Sequence, residues 1–180
     1  MAHQEIIYRP SGPEDDAAVA ALDGSFTTDT VYEVTASPDG FTLRPVRVDP
    51  PVRKVFPDDE PDGEEAGDDT RRYAAFDGGV LCGFVVTAYE PWNRRLSVED
   101  IEVAPEYRGR GIGSRLMDQV FARARECGAG HVWLEVTNVN APAIRSYLRM
   151  GFTFCGMDTT LYSGTESEGE IALFMSRPCP

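Results

Sequence analysis

The stretch Ile101-Glu-Val-Ala-Pro-Glu-Tyr-Arg-Gly-Arg-Gly-Ile-Gly-Ser-Arg-Leu116 constrains the fold more than any other part of the chain. Leu96–Val103 reads as an apolar strand, and Pro105 marks a turn after it. From Ile112 the apolar positions recur at helical spacing, through Leu116, Val120 and Ala124, with Met117 and Phe121 widening the stripe. Gly128 and Gly130 end this helix, and His131–Val136 follows as a short apolar strand. The result is a strand–helix–strand crossover from Leu96 to Val136. Arg108, Gly109, Arg110, Gly111, Ile112, Gly113 and Ser114 crowd the point where the helix begins. Such a place suits a phosphate, because free N–H groups point outward, the helix dipole favours negative charge, and glycine permits close approach.

The remaining elements surround this unit. Gln4–Arg9 reads as a first strand. Ser11-Gly-Pro-Glu-Asp-Asp16 starts a helix capped by Ser11, with Ala18, Val19 and Leu22 on its apolar face and Gly24 at its end. Ser25–Thr30 is polar and reads as a loop. Val31–Ala36 and Phe41–Val48 flank the turn Ser37-Pro-Asp-Gly40 as a hairpin, which Asp49-Pro-Pro51 breaks. Residues 57–70 read as an exposed acidic flexible loop. Arg72–Phe76 and Val80–Tyr89 form a second hairpin around Asp77-Gly-Gly79. Between Val98 and Ile101 the apolar phase changes, which predicts a bulge near Glu99-Asp100. Ala141–Met150 reads as a helix followed by Gly151, and Phe152–Leu161 and Ile171–Ser176 as closing strands. The pattern is that of one α+β or α/β domain spanning residues 1–180.

The charge balance bears on partners. The net charge is −13, and residues 58–69 alone hold eight acids and no base, leaving −5 for the rest. This argues against nucleic acid as a partner and is compatible with a cationic substrate. No apolar run approaches the roughly 20 residues that cross a bilayer. No membrane association and a cytoplasmic location are therefore expected. Cys82, Cys127, Cys155 and Cys179 are far apart and include no C-x-x-C pair, so reduced thiols are expected rather than disulfides or a metal site. A homodimer, through an exposed hairpin or the C-terminal strand, is the one assembly left open.

The glycine loop is neither of two better-known phosphate loops. A P-loop needs Lys-Ser/Thr after its last glycine, whereas Gly113 precedes Ser114-Arg115; and the third glycine of a dinucleotide fingerprint is replaced by Ser114. A second constellation follows: Trp133-Leu-Glu-Val-Thr-Asn-Val-Asn140, a short helix carrying Tyr147, and Gly151-Phe152. Together with Arg108-x-x-Gly111-x-Gly113, it resembles the GNAT superfamily of acyl-CoA-dependent N-acetyltransferases over roughly residues 80–155. That resemblance implies an α+β fold with a mixed, splayed sheet and helices on both faces. It implies acetyl-CoA as cosubstrate, with its pyrophosphate on residues 108–114, its pantetheine near Asn140, and Tyr147 near its sulfur. A further likeness spans almost the whole chain, including Leu22–Val31, Val48–Val52, Lys54–Glu60, Trp92–Leu96 and Val98–Glu106. In these segments the chain is similar to the streptothricin (nourseothricin) acetyltransferases. This implies a cationic antibiotic as substrate, acetylated on an amino group of its β-lysine moiety.

The chemistry sets its own requirements. Acetyl transfer from a thioester to an amine needs a neutral amine, a polarised carbonyl and a protonated leaving thiolate. With only His3 and His131, and no Ser-His-Asp or Cys-His pair evident, direct attack is simpler than a covalent relay. Tyr147 is the candidate general acid. Backbone groups around Ile101 and Val103 are candidates for presenting the acetyl group. Glu135 and Glu102 rank level as the general base, with Asp100 next; Asp100, Glu99 and Trp92 are also candidates for binding the substrate. Asn140 equally suits an N-cap. Two other functions stay open: acetylation of another amine, such as an aminoglycoside or a protein N-terminus, and a non-catalytic acyl-CoA-binding module.

Overall fold

The computed structural model describes residues 5–56 and 69–179. The expected acidic loop at 57–70 lies almost wholly outside them. Among the described residues, nine strands and three α-helices follow one another: β1 (Ile7–Ser11), α1 (Asp16–Ala20), β2 (Phe26–Ser37), β3 (Gly40–Lys54), β4 (Thr70–Asp77), β5 (Val80–Glu90), β6 (Arg95–Val103), α2 (Ile112–Cys127), β7 (His131–Thr137), α3 (Ala141–Arg149), β8 (Thr153–Asp158) and β9 (Ala172–Pro178). They form two compact units. One comprises Met1–Gly24, Asp59–Trp133 and Pro178–Pro180, and the other Ser25–Asp58 and Leu134–Arg177.

In the first unit the strand order is β1-β4-β5-β6-β7, antiparallel from β1 to β6. The α2 crossover then returns the chain to β7, which makes the sheet mixed. Helices cover both faces of this sheet. Val19 and Leu22, on α1 and just after it, pack on Ala74, Phe76 and Phe84. On the opposite face α2 buries Ile112, Leu116, Met117, Val120 and Ala124, the stripe expected from the sequence; Phe121 stays half-buried. Gly83 permits this packing. A Cβ there would meet the Glu102 carbonyl oxygen at 2.8 Å and Leu116 Cδ1 at 3.3 Å. Gly128 ends α2 at φ 70°, with its N–H and that of Ala129 returning to the last turn.

In the second unit β2 and β3 make a two-stranded sheet, while the rest of β7 continues the order β7-β9-β8. Asn138 joins them. Its carbonyl accepts from the Tyr32 N–H and its Nδ2 donates to the Tyr32 carbonyl, while its N–H and Oδ1 bond the backbone of Ile171.

Three expectations are corrected here. Ser25–Thr30 is not a loop, because β2 begins at Phe26, opposite Lys54. Threonine is β-branched and suits a strand. Asp49-Pro-Pro51 does not end β3, which runs on to Lys54. The register shifts between Thr28, opposite Val52, and Thr30, opposite Arg47, so residues 48–51 face Asp29 alone. The prolines fall where no ladder N–H is required. Ser11 does not cap a helix: its hydroxyl donates to Asp15 Oδ2 and accepts from Arg72 Nε, both at 2.9 Å. Beyond these, β8 stops at Asp158, short of Leu161, because Asp158 Oδ1 accepts from the Thr160 N–H and hydroxyl. Cys82 is buried and Cys155 exposed, with Cys127 and Cys179 between.

Candidate acetyl-transfer site

The glycine loop forms because its backbone needs conformations that favour glycine. Gly109 and Gly111 have φ of 74° and 78°. A Cβ at either would meet nothing within 4 Å, so backbone conformation alone selects glycine, and the space above the loop is open. Gly113, the second residue of α2, has only Val103 Cγ2 within reach of a Cβ, at 3.8 Å. The helical ladder begins with the Arg115 N–H bonding to the Gly111 carbonyl at 3.1 Å. The N–H groups of Ile112, Gly113 and Ser114 therefore precede it. No acid stands in the first turn of α2.

Arginines frame the loop differently from one another. Arg110 lies over the Tyr107 ring, 5.0 Å from its centroid. Arg108 folds back: Nε donates to the Val103 carbonyl at 2.8 Å and Nη2 to the Gly24 carbonyl at 3.2 Å. This ties the loop to the end of β6.

Along β6, Val86 pairs with Asp100 and Thr87 with Val98. Glu99 is thus the extra residue of a bulge, where the phase change placed it, and it is exposed. Beyond the bulge Asp100, Ile101, Glu102 and Val103 are half-buried. Val103 turns toward Gly113. Glu102 turns the other way, onto Gly24, where a Cβ would meet its Oε1 at 2.3 Å. The structure therefore gathers the Glu102 side chain, Arg108, Gly24 and the Val103 carbonyl around one point. Gly24 is the member that the sequence reading took only as a helix stop. Trp92 is not among them. It precedes β6, about 25 Å from the loop by strand rise, is 82% exposed, and donates from Nε1 to Glu90 Oε2 at 3.1 Å.

In the second unit, Asn140 Oδ1 accepts from the Ala143 N–H at 3.2 Å, the N-cap expected for α3, with Pro142 in the first turn. Gly151, at φ 88°, closes the other end. The chain then turns back so that the Phe152 N–H bonds the Tyr147 carbonyl at 3.0 Å. This seats the Phe152 ring 5.8 Å from that of Tyr147, which is buried. The Gly-Phe pair after the helix is thus a packing device for the tyrosine. Glu135 is exposed on β7, and its Oε1 accepts a hydrogen bond from the Tyr162 hydroxyl. Burial and the Glu135 carboxylate together push the Tyr162 phenol well above its ordinary range. Two residues along, Thr137 donates to Glu170 Oε2 at 2.5 Å, and Glu170 Oε1 receives Lys54 Nζ at 2.6 Å. Tyr162 and Glu170 escaped the sequence reading, since they lie in a segment without periodicity, and Lys54 entered it only through the likeness of Lys54–Glu60.

Residues 38–152 match the model of the acetyltransferase (GNAT) family. The chain belongs to the GNAT family of acetyltransferases. Family membership agrees with the α+β fold and mixed sheet. The chain is 57% identical, over 96% of its length and 95% of the relative's, to streptothricin acetyltransferase of Streptomyces lavendulae. The crystal structure of a nourseothricin acetyltransferase superposes with a TM-score of 0.90 at 62% identity, covering 97% of this chain and 99% of that one. A Bacillus anthracis protein solved in complex with acetyl coenzyme A superposes with a TM-score of 0.80 at 25% identity, covering 98% of each chain. Among the described residues no helix is long and apolar enough to cross a membrane.

Proposed function

We propose that this chain is a streptothricin N-acetyltransferase, transferring the acetyl group of acetyl-CoA directly to an amino group of the antibiotic's β-lysine moiety. The observation that carries the substrate is the 57% identity to a streptothricin acetyltransferase over 96% of the chain. It extends through the N-terminal segments that the family's shared motifs do not include. On this reading residues 1–180 act as one catalytic domain in the cytoplasm, where the cosubstrate is available.

The pyrophosphate of acetyl-CoA binds at Gly109–Ser114, on the N–H groups ahead of the α2 ladder, with Arg110 beside them. Arg108 braces the loop through its two backbone bonds and adds positive charge. Ile101 and Val103 present the thioester from the end of β6, and Asn140 contacts the pantetheine. Glu102 or Glu135 takes the proton from the substrate's ammonium group. The neutral nitrogen attacks the thioester carbonyl, the C–S bond breaks, Tyr147 protonates the departing sulfur, and the second proton that the nitrogen sheds as the amide forms passes through solvent to restore the Tyr147 phenol. The products are an amide and free coenzyme A.

The test follows thiol release from acetyl-CoA with streptothricin, an aminoglycoside and a basic peptide offered in parallel. Turnover confined to streptothricin is expected; turnover of another amine without streptothricin overturns the substrate, and no turnover of any amine overturns the enzyme. In the same assay Tyr147→Phe should lower kcat about 100-fold with little change in the KM for acetyl-CoA. An unchanged kcat removes Tyr147 from the acid role.

A further inference from the structure

The segment between β8 and β9 contains no strand, yet side chains anchor it throughout. At its end, Glu170 accepts from Lys54 at 2.6 Å and from Thr137 at 2.5 Å, and Ser167 accepts from Lys54 at 2.7 Å. Lys54 is buried, so this ion pair and its hydrogen bonds are shielded and resist screening better than an exposed pair. Asn138 fixes Ile171 at the next position. Within the segment, turn bonds run from the Ser163 N–H to Thr160, the Thr165 N–H to Tyr162 and the Glu168 N–H to Thr165, while Thr165 Oγ1 donates to the Tyr162 carbonyl at 2.7 Å. The backbone of Tyr162 is thereby held, and its hydroxyl reaches Glu135. Glu135 and Thr137 share one face of β7. Both are thus engaged by the same segment.

Glu135 is an exposed carboxylate whose side chain would otherwise sample several rotamers. A donor on one oxygen fixes the direction of the other. We propose that Tyr162 is a positioning residue for the amine substrate: by donating to Glu135 Oε1 it aims Glu135 Oε2 at the substrate's ammonium group. This rests on the acetyltransferase reading above, with Glu135 as the carboxylate that meets the amine, but not on which amine is acetylated. The raised phenol range of Tyr162 means that it remains a donor throughout the working pH range.

The experiment is a double-mutant cycle with Tyr162→Phe and Glu135→Gln in the full chain, run on whichever amine the wild type acetylates. Choosing the substrate in this way separates failure of the positioning role from failure of the streptothricin assignment. Tyr162→Phe is expected to raise the KM for the amine about tenfold, the size of a charge-assisted hydrogen bond. The KM for acetyl-CoA and the melting temperature should hardly move. In the Glu135→Gln background the same change should have little further effect. Additive effects of the two substitutions, or equal rises in the KM of both substrates, overturn the proposal. So does an unchanged amine KM in Tyr162→Phe.

Discussion

Gly24 has no side chain, and that absence gives Glu102 its place. Its carbonyl also receives Arg108, so one residue serves both a candidate base and the brace of the glycine loop. In Gly24→Ala the new methyl meets the end of a flexible carboxylate, so the fold can accommodate it while Glu102 moves. We expect the melting temperature to stay within a few degrees of wild type and kcat/KM for the amine to fall about tenfold or more, on the scale of a misplaced catalytic group. Thermal melts and steady-state kinetics on the same preparation check both. The sequence shows each of these residues but not their meeting: residues 24 and 102 are brought together by tertiary packing, which leaves no trace in local spacing. Tyr147 is different. Its helix, its cap at Asn140 and its Gly151-Phe152 ending are all local, so its environment was legible from thirteen consecutive residues, Asn140 to Phe152.

At the scale of the element, α2 shows two glycines with different tasks. Gly111, at φ 78°, stands at the entry that we assign to pyrophosphate, and Gly128, at φ 70°, at the exit. Alanine at either should destabilise by about 1 kcal/mol, since both are left-handed. Only Gly111→Ala should also weaken acetyl-CoA binding, which titration calorimetry on the two variants distinguishes. The turn into α1 makes a second prediction. Arg9 bonds both oxygens of Asp15, at 2.8 and 2.9 Å, and holds its carboxyl down at about 2 against an ordinary 3.8. The folded protein therefore binds fewer protons than the unfolded chain between these values. The stabilisation is complete above about pH 4 and is lost as pH falls toward 2. Asp15→Asn should lower the melting temperature at pH 7 and flatten its decline between pH 4 and 2. Elements with strong periodicity, such as α2, β4, β5 and β7, were legible in the sequence. The Phe26–Thr28 end of the β2–β3 ladder, opposite Val52–Lys54, was not, because polar threonines and a Pro-Pro step give the same local signal in a loop as opposite a register shift.

For the whole molecule, charge is the property that the sequence states most plainly. At −13 the protein would attract the cationic amine that we propose as substrate and repel an anionic cosubstrate, which on our assignment relies on the local field at α2. Raising the ionic strength from low to about 0.5 M should lower kcat/KM for the amine several-fold, while that for acetyl-CoA holds or rises; a salt series in each substrate is the measurement. The β2–β3 ribbon, finally, is a two-stranded sheet, and such a pair is marginal without support. Its supports include Asn138 at Tyr32, the Phe154 ring beside that of Tyr32, and the Lys54–Glu170 pair at its open end. The turn at Ser37–Gly40 lies beyond these. Amide protons near the turn can therefore exchange with solvent through small local fraying. The Tyr32 amide is released only when the ribbon lifts from its anchors, so its exchange reports the free energy of undocking the whole hairpin.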